Sequence, residues 1–260
     1  LIAYSRSQTL KNDTGYGDAL WHGIELSDQA SNLPSAISAL ELFVAERPDD
    51  SLAPEALLRL GRSYQAAGMF DKAIGAFQRN QFRYPQSLAA SKSAVPLAEA
   101  FIAKGPDSFN KAESVLRSVV ENNPLITPAA EEFKSALFEL AQLYYRTGRY
   151  EEAVARLDEL TARYPNDDRM GELVFLMADS YRKSAALIDV KMLATSAQAA
   201  GSNTANPSTP AVDIVEATAA KKDRLEKARQ LFDRSIVAYA AKPPTTDTDK
   251  LYLKLAHFYR

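Results

Sequence analysis

The chain has 260 residues, 46% hydrophobic and 25% charged, with a net charge of −2. That composition suits a folded domain or repeat array and gives no positive field for nucleic acid or an anionic membrane. Cysteine is absent, which excludes disulfides, thiolate metal ligands and Cys nucleophiles, and no apolar run approaches the ~20 residues of a membrane span. The lack of thiols suits an oxidising compartment.

In chain order, residues 1–17 (LIAYSRSQTLKNDTGYG) read as the tail of an earlier helix followed by a loop. The first residue is not Met and the last ten, LYLKLAHFYR, stop inside a helical pattern, so a fragment of a longer protein is expected. Residues 18–184 repeat. The segment 57–85, LLRLGRSYQAAGMFDKAIGAFQRNQFRYP, recurs at 137–165 as LFELAQLYYRTGRYEEAVARLDELTARYP. Two further copies carry Leu20, Ala36, Leu40 and Pro48, and Leu97, Phe101, Ala112, Leu116 and Pro124. In each of the four copies a small Ala precedes a closing Pro by 12 residues (36/48, 73/85, 112/124, 153/165).

Each copy predicts two amphipathic helices. Leu57, Leu60, Gly61 and Tyr64 fall at i, i+3, i+4 and i+7, one face of helix A. Gly68 sits where a C-terminal cap is expected. Helix B starts near Asp71, runs through Ala73, Phe77 and Phe82, and stops before Pro85. Small residues recur at one position of helix A (Gly61, Ala98, Ala141, Ala178) and one of helix B (Ala36, Ala73, Ala112, Ala153, Ala228), where close approach of the two helices requires them. Pro96 should kink or delay helix A of the third copy.

A fifth copy starts at Met177, Ala178 and Tyr181 and resumes at Ala228 and Phe232. Residues 185–222 therefore form an insertion. Its helix A extends to about Met192, and 194–212 (ATSAQAAGSNTANPSTPAV) is expected to lack regular structure, as a plain disordered insertion or a partner-contacting arm. Residues 223–260 continue the array, with helix B over 221–239 and a sixth copy opening at Leu255, Ala256 and Tyr259.

LRLGRSY, AIGAF and Pro85 resemble the tetratricopeptide repeat pattern, W-x2-L-G-x2-Y with a later A-x3-F and a closing Pro. The longer unit ending in RYPQS or RYPND is similar to the bacterial cell-envelope branch containing the Tol–Pal coordinator and the BamD-like outer-membrane assembly lipoproteins. The resemblance implies an all-α, right-handed α-solenoid of helix hairpins. It also implies periplasmic or cell-envelope localisation, with the cytoplasm as the alternative.

No catalytic chemistry is legible. His22 and His257 have no second ligand at metal spacing, and the pairs Glu131-Glu132 and Glu151-Glu152 stand in first turns of helices, where the helix dipole favours them. No cofactor motif is present, and cations are dispersed among acids rather than gathered into a nucleic-acid patch. By the resemblance, the concave side of the array is lined by helix A positions. The expected partner-binding groove consists of Trp21, Leu58, Arg62, Phe138, Gln142, Tyr145, Arg146, Phe175, Asp179 and Arg182. Positions such as Leu58 and Phe138 could equally pack between adjacent helices A. The expected function is a non-enzymatic scaffold that binds a peptide or helix of a partner protein in this groove. The alternative is a structural subunit of a large complex, packing through the solenoid edges.

Overall fold

The structure, a computed structural model, describes residues 14–201 and 210–240. It is all-α, with no strand among the described residues. The chain divides into two compact units, 1–139 and 140–260.

In the first unit, α1 (Thr14–Gln29) and α2 (Leu33–Glu46) form one hairpin, and α3 (Ala53–Ala66) and α4 (Phe70–Arg83) form the next. The third has a split first helix, α5 (Leu88–Lys92) and α6 (Ala94–Lys104). A 3-10 turn (Pro106–Ser108) and α7 (Phe109–Asn122) complete it. Helix α1 begins at Thr14, four residues ahead of the expected boundary at 18. Where Tyr is expected in this first copy, Ser27 instead hydrogen-bonds back to the Gly23 carbonyl at 2.8 Å. All the predicted small positions are buried, and in the first unit Leu20, Leu40, Leu57, Phe77, Leu97 and Leu116 are buried with Ala36, Gly61, Ala73, Ala98 and Ala112.

The turn after α3 shows why glycine recurs there. Gly68 has φ of 72°, its N–H bonds to the Gln65 carbonyl at 3.0 Å, and the Met69 N–H bonds to the Tyr64 carbonyl at 2.8 Å. This is the paired cap that closes a helix on a left-handed residue. A Cβ at Gly68 would meet nothing, so backbone conformation alone requires the glycine. Gly148 repeats the arrangement after α8 (Glu131–Arg146), with φ of 77° and an Arg149-to-Tyr144 bond of 2.8 Å.

The repeated RYP has a structural use as well. The Tyr84 hydroxyl donates to the Pro48 carbonyl, and Arg83 pairs with Asp49 at 3.0 Å. The turn closing one hairpin is thus stitched to the turn closing the previous one.

Pro96 acts as expected. It falls in the first turn of α6, where its missing N–H costs nothing, and the helix breaks just ahead of it at Ser93. Asn80 of α4, fully buried, fills the break. Its side-chain amide donates to Ser93 Oγ at 2.9 Å and to the Pro54 carbonyl at 2.8 Å.

The second unit contains the last turns of α8, then α9 (Tyr150–Arg163), α10 (Met170–Gly201) and α11 (Pro210–Ala240). Helices α10 and α11, 32 and 31 residues long, correct the expectation of irregular structure over 194–212. Residues 194–201 and 210–212 are helical, and helix B begins at Pro210 rather than near 221. The stretch lacks aromatics but holds Ala194, Ala197, Ala199 and Ala200, and alanine has the highest intrinsic helix propensity. Low hydrophobicity says that a segment cannot build a core of its own. It does not prevent a helix already nucleated by packing from continuing. Residues 202–209 and the sixth copy lie outside the described residues.

The two long helices are antiparallel. Ser235 Oγ reaches the Gly171 carbonyl at 3.2 Å, Phe232 packs with Ala178 and Phe175, and Lys221 pairs with Asp189 at 2.7 Å.

Candidate functional site: the faces of the first helices

Within the first unit, α3, α5/α6 and the start of α8 border a cleft of about 500 Å³. They are helix A segments of three successive copies. The buried Val95 and Pro96 form its floor, and the split before α6 places Lys92 at one end. Its walls are polar. Gln65 donates to Glu99 at 3.2 Å, Lys92 pairs with Glu132 at 3.2 Å, and Glu131 is held by Lys134 at 2.9 Å. Arg62 also lines the cleft. It is exposed and has no hydrogen bond or ion pair among the described residues. A volume of this size accommodates a few side chains of an extended segment, with apolar contact below and hydrogen-bonding groups on the walls.

In the second unit, the corresponding faces of α8 and α10 are tied together. The Tyr145 hydroxyl donates to Asp179 and accepts from Lys183 Nζ at 2.6 Å. Arg182 Nε donates to Asp179 at 2.7 Å, and the Lys183 ammonium stands 4.2 Å from the Tyr145 ring centroid. Burial first, and then the Asp179 carboxylate, push the Tyr145 hydroxyl well above the ordinary tyrosine pKa. Tyr64 in the first unit shows the same shift from burial and its bond to Glu41.

The residues expected to form the groove are distributed as follows. Trp21 lies half-buried, edge-on to Phe43 at 5.5 Å and beneath the Arg59 guanidinium at 4.8 Å. Leu58 and Phe138 are buried, which is the interhelix-packing reading of those positions. Arg62 faces the cleft. Gln142 accepts from Arg146 at 3.3 Å on the α8 surface. Phe175 packs edge-on to Phe232 at 5.4 Å in the α10/α11 core. Tyr145, Asp179 and Arg182 come together. Lys183, which completes that cluster, was not anticipated, although its position four residues after Asp179 is a recognisable helical ion-pair spacing. The cleft liners Lys92 and Pro96 were also missed, because a helix-breaking proline gives no hint that its ring will floor a cleft.

Comparison with known families decides what these hairpins are. Residues 55–87 and 107–174 match models described as tetratricopeptide repeat. These two stretches carry the tetratricopeptide repeat pattern. No curated protein matches the sequence. Among solved structures, MamA (41-end) from Desulfovibrio magneticus RS-1 is similar at 13% identity and TM-score 0.59, over 88% of this chain and 97% of that one. Kinesin light chain TPR-like repeats from Podosopora anserina are similar at 17% identity and TM-score 0.54, over 84% and 97%. A tetratricopeptide repeat protein from Parabacteroides merdae gives 15% and 0.53, over 92% and 85%. At these identities the likeness is one of fold: an all-α solenoid of tetratricopeptide repeats.

Proposed function

We propose that this protein is a non-enzymatic interaction scaffold that holds an extended segment of a partner protein in the cleft bordered by α3, α5/α6 and α8. The observation that carries the reading is the cleft itself. It presents an apolar floor, Val95 and Pro96, beside an unpartnered cation, Arg62, on the repeat face that its helix A segments share. Partners of this kind are proteins rather than nucleic acid, because most surface cations are already paired with acids. The RYPQS and RYPND endings support a place in a bacterial envelope assembly, which cell fractionation of the tagged protein tests. Recovery in the cytoplasm alone would reject that location.

The cleft is tested by crosslinking and capture of partners with Arg62→Glu plus Ala66→Glu, both exposed residues lining the cleft, once an unchanged melting temperature shows the variant folded. Loss of captured partners supports the scaffold. Full retention removes the cleft from the account.

One observation favours the second reading, a structural subunit packed through its edges. Phe82 is 90% exposed and Leu88 52%, both beside the Tyr84 and Arg83 stitch. Phe82→Ser with Leu88→Ser should then release neighbouring subunits while leaving the cleft intact.

A further inference from the structure

Five charged side chains line the cleft of the first unit: Arg62, Lys92, Glu99, Glu131 and Glu132. Three of them are held in ion pairs. Lys92 pairs with Glu132 at 3.2 Å, and Lys134 holds Glu131 at 2.9 Å. The other two have no charged partner among the described residues, and they are of opposite sign. Arg62 makes no hydrogen bond or ion pair there, and half-buried Glu99 accepts only from the neutral Gln65 amide, at 3.2 Å. Both line one cleft, yet they do not pair with each other.

The repeat explains why they stay apart. Each directly follows the shared small residue of its helix A, Gly61 in α3 and Ala98 in α6, so they hold the same position on successive helices. Packed helices stand about 8–10 Å apart, and the two charges are carried at about that separation beside the floor of Val95 and Pro96. A ligand with one charge would satisfy one wall and leave the other unpaired. Only a ligand carrying both signs, at that separation, satisfies the two together.

We infer that the cleft, on the reading proposed above, selects an extended segment with an acidic and a basic side chain three residues apart, the acid on Arg62 and the base on Glu99. The spacing comes from chain geometry. A polyproline-type segment has three residues per turn and rises about 3.1 Å per residue, so positions i and i+3 point the same way about 9 Å apart. That is one helix spacing. On a helical ligand the same separation would take about seven residues. The guanidinium of Arg62 offers a planar fork to a carboxylate. The Glu99 carboxylate keeps acceptor capacity beyond its bond from Gln65. The two residues between the anchors pass over Val95 and Pro96 and are small or apolar.

The test is selection of random peptides of about twelve residues on the whole protein, then fluorescence anisotropy of a selected peptide. The wild type should enrich an acid and a base three apart. Arg62→Gln should abolish the preference for the acid alone. Glu99→Gln, which keeps an acceptor for Gln65, should abolish the preference for the base alone. Each should weaken the selected peptide about tenfold. Arg62 is exposed and bonded to nothing among the described residues, so Arg62→Gln gives a reading even if Glu99→Gln fails to fold. Enrichment at a spacing of about seven would mean a helical occupant and overturn the inference, as would binders without a charge pair. If Arg62→Glu with Ala66→Glu removes those binders, the cleft stands and only its charge selection fails. A wild type that enriches nothing ends both.

Discussion

Hairpins α3/α4 and α10/α11 are written on the same plan and solve it differently. In the first, two 14-residue helices bury Leu57, Leu60, Gly61 and Tyr64 against Ala73, Ile74 and Phe77, a sharp stripe at helical spacing. In the second, the buried set on α11 thins to Ala228, Phe232 and Ser235, and the remaining turns of both helices extend beyond it. Helices as short as α3 and α4 are marginal alone and take their order from neighbours. The long pair is anchored at one end and carried onward by its alanine-rich composition. Small residues stand at both shared positions of each hairpin, Gly61 and Ala73 in the first and Ala178 and Ala228 in the second, and only the second carries long helical turns beyond them.

The largest expected effect sharpens that contrast. Phe232→Ala removes the ring that packs on Ala178 and Phe175 and should cost about 3–5 kcal/mol. Because the anchor is local, hydrogen exchange should accelerate across α10 and α11 before it does in α3 and α4. Uniform acceleration through the whole chain would erase the distinction.

Next is Gly61→Ala. The added methyl would overlap the Phe77 ring, and overpacking costs about 1–3 kcal/mol, more than the helix propensity that alanine regains. In the fourth copy the same two positions hold Ala141 and Leu157, both buried. Phe77→Leu should therefore rescue Gly61→Ala in urea titrations. A double variant no more stable than the single one would show that the two positions are not matched.

Tyr145→Phe should cost about 1 kcal/mol near neutral pH by removing the hydroxyl between Asp179 and Lys183. The folded-state pKa of Tyr145 is raised, so its stabilisation is complete below the unfolded value near 10 and is lost as the pH rises above it. Stability of the wild type should fall more steeply than that of the variant above about pH 10. Tyr64 is shifted the same way, so the variant keeps part of the slope.

Smallest is Arg83→Ala. Its partner Asp49 is almost fully exposed, and such pairs contribute roughly 0–1 kcal/mol. The melting temperature should barely move. A large drop would mean that the stitch between adjacent turns matters more than its solvent exposure implies.

Much of this was legible in the sequence. Periodicity located both helices of each copy, Gly68 and Gly148 marked the turns, and Pro96 marked the break, because each of those signals is local and steric. The length of α10 and α11 was not legible. A stretch of Ala, Ser, Asn and Thr looks unable to fold when judged by hydrophobicity, whereas its helicity depends on being continuous with the anchored turns around Ala178 and Ala228. The groove was legible only in part. The repeat register places Tyr145 on α8 and Asp179 and Arg182 on α10 at corresponding helix A positions, hence on adjoining faces. Whether a large residue such as Leu58 or Phe138 lines a surface or is covered by the next helix depends on interhelix distance, which spacing does not encode.

The break at Ser93 also bears on how the first unit moves. An interrupted helix is ordinarily a hinge. Here the Asn80 amide grips the Ser93 hydroxyl on one side and the Pro54 carbonyl on the other, and Ser93 Oγ itself donates to the Ala89 carbonyl at 2.9 Å. Three helices, α3, α4 and α5, are thereby joined by side-chain hydrogen bonds at the turn that interrupts the third. Helices α5 and α6 should swing together with α3 and α4 as one stiff body, so that the two walls of the cleft they supply keep their spacing whether or not anything occupies it.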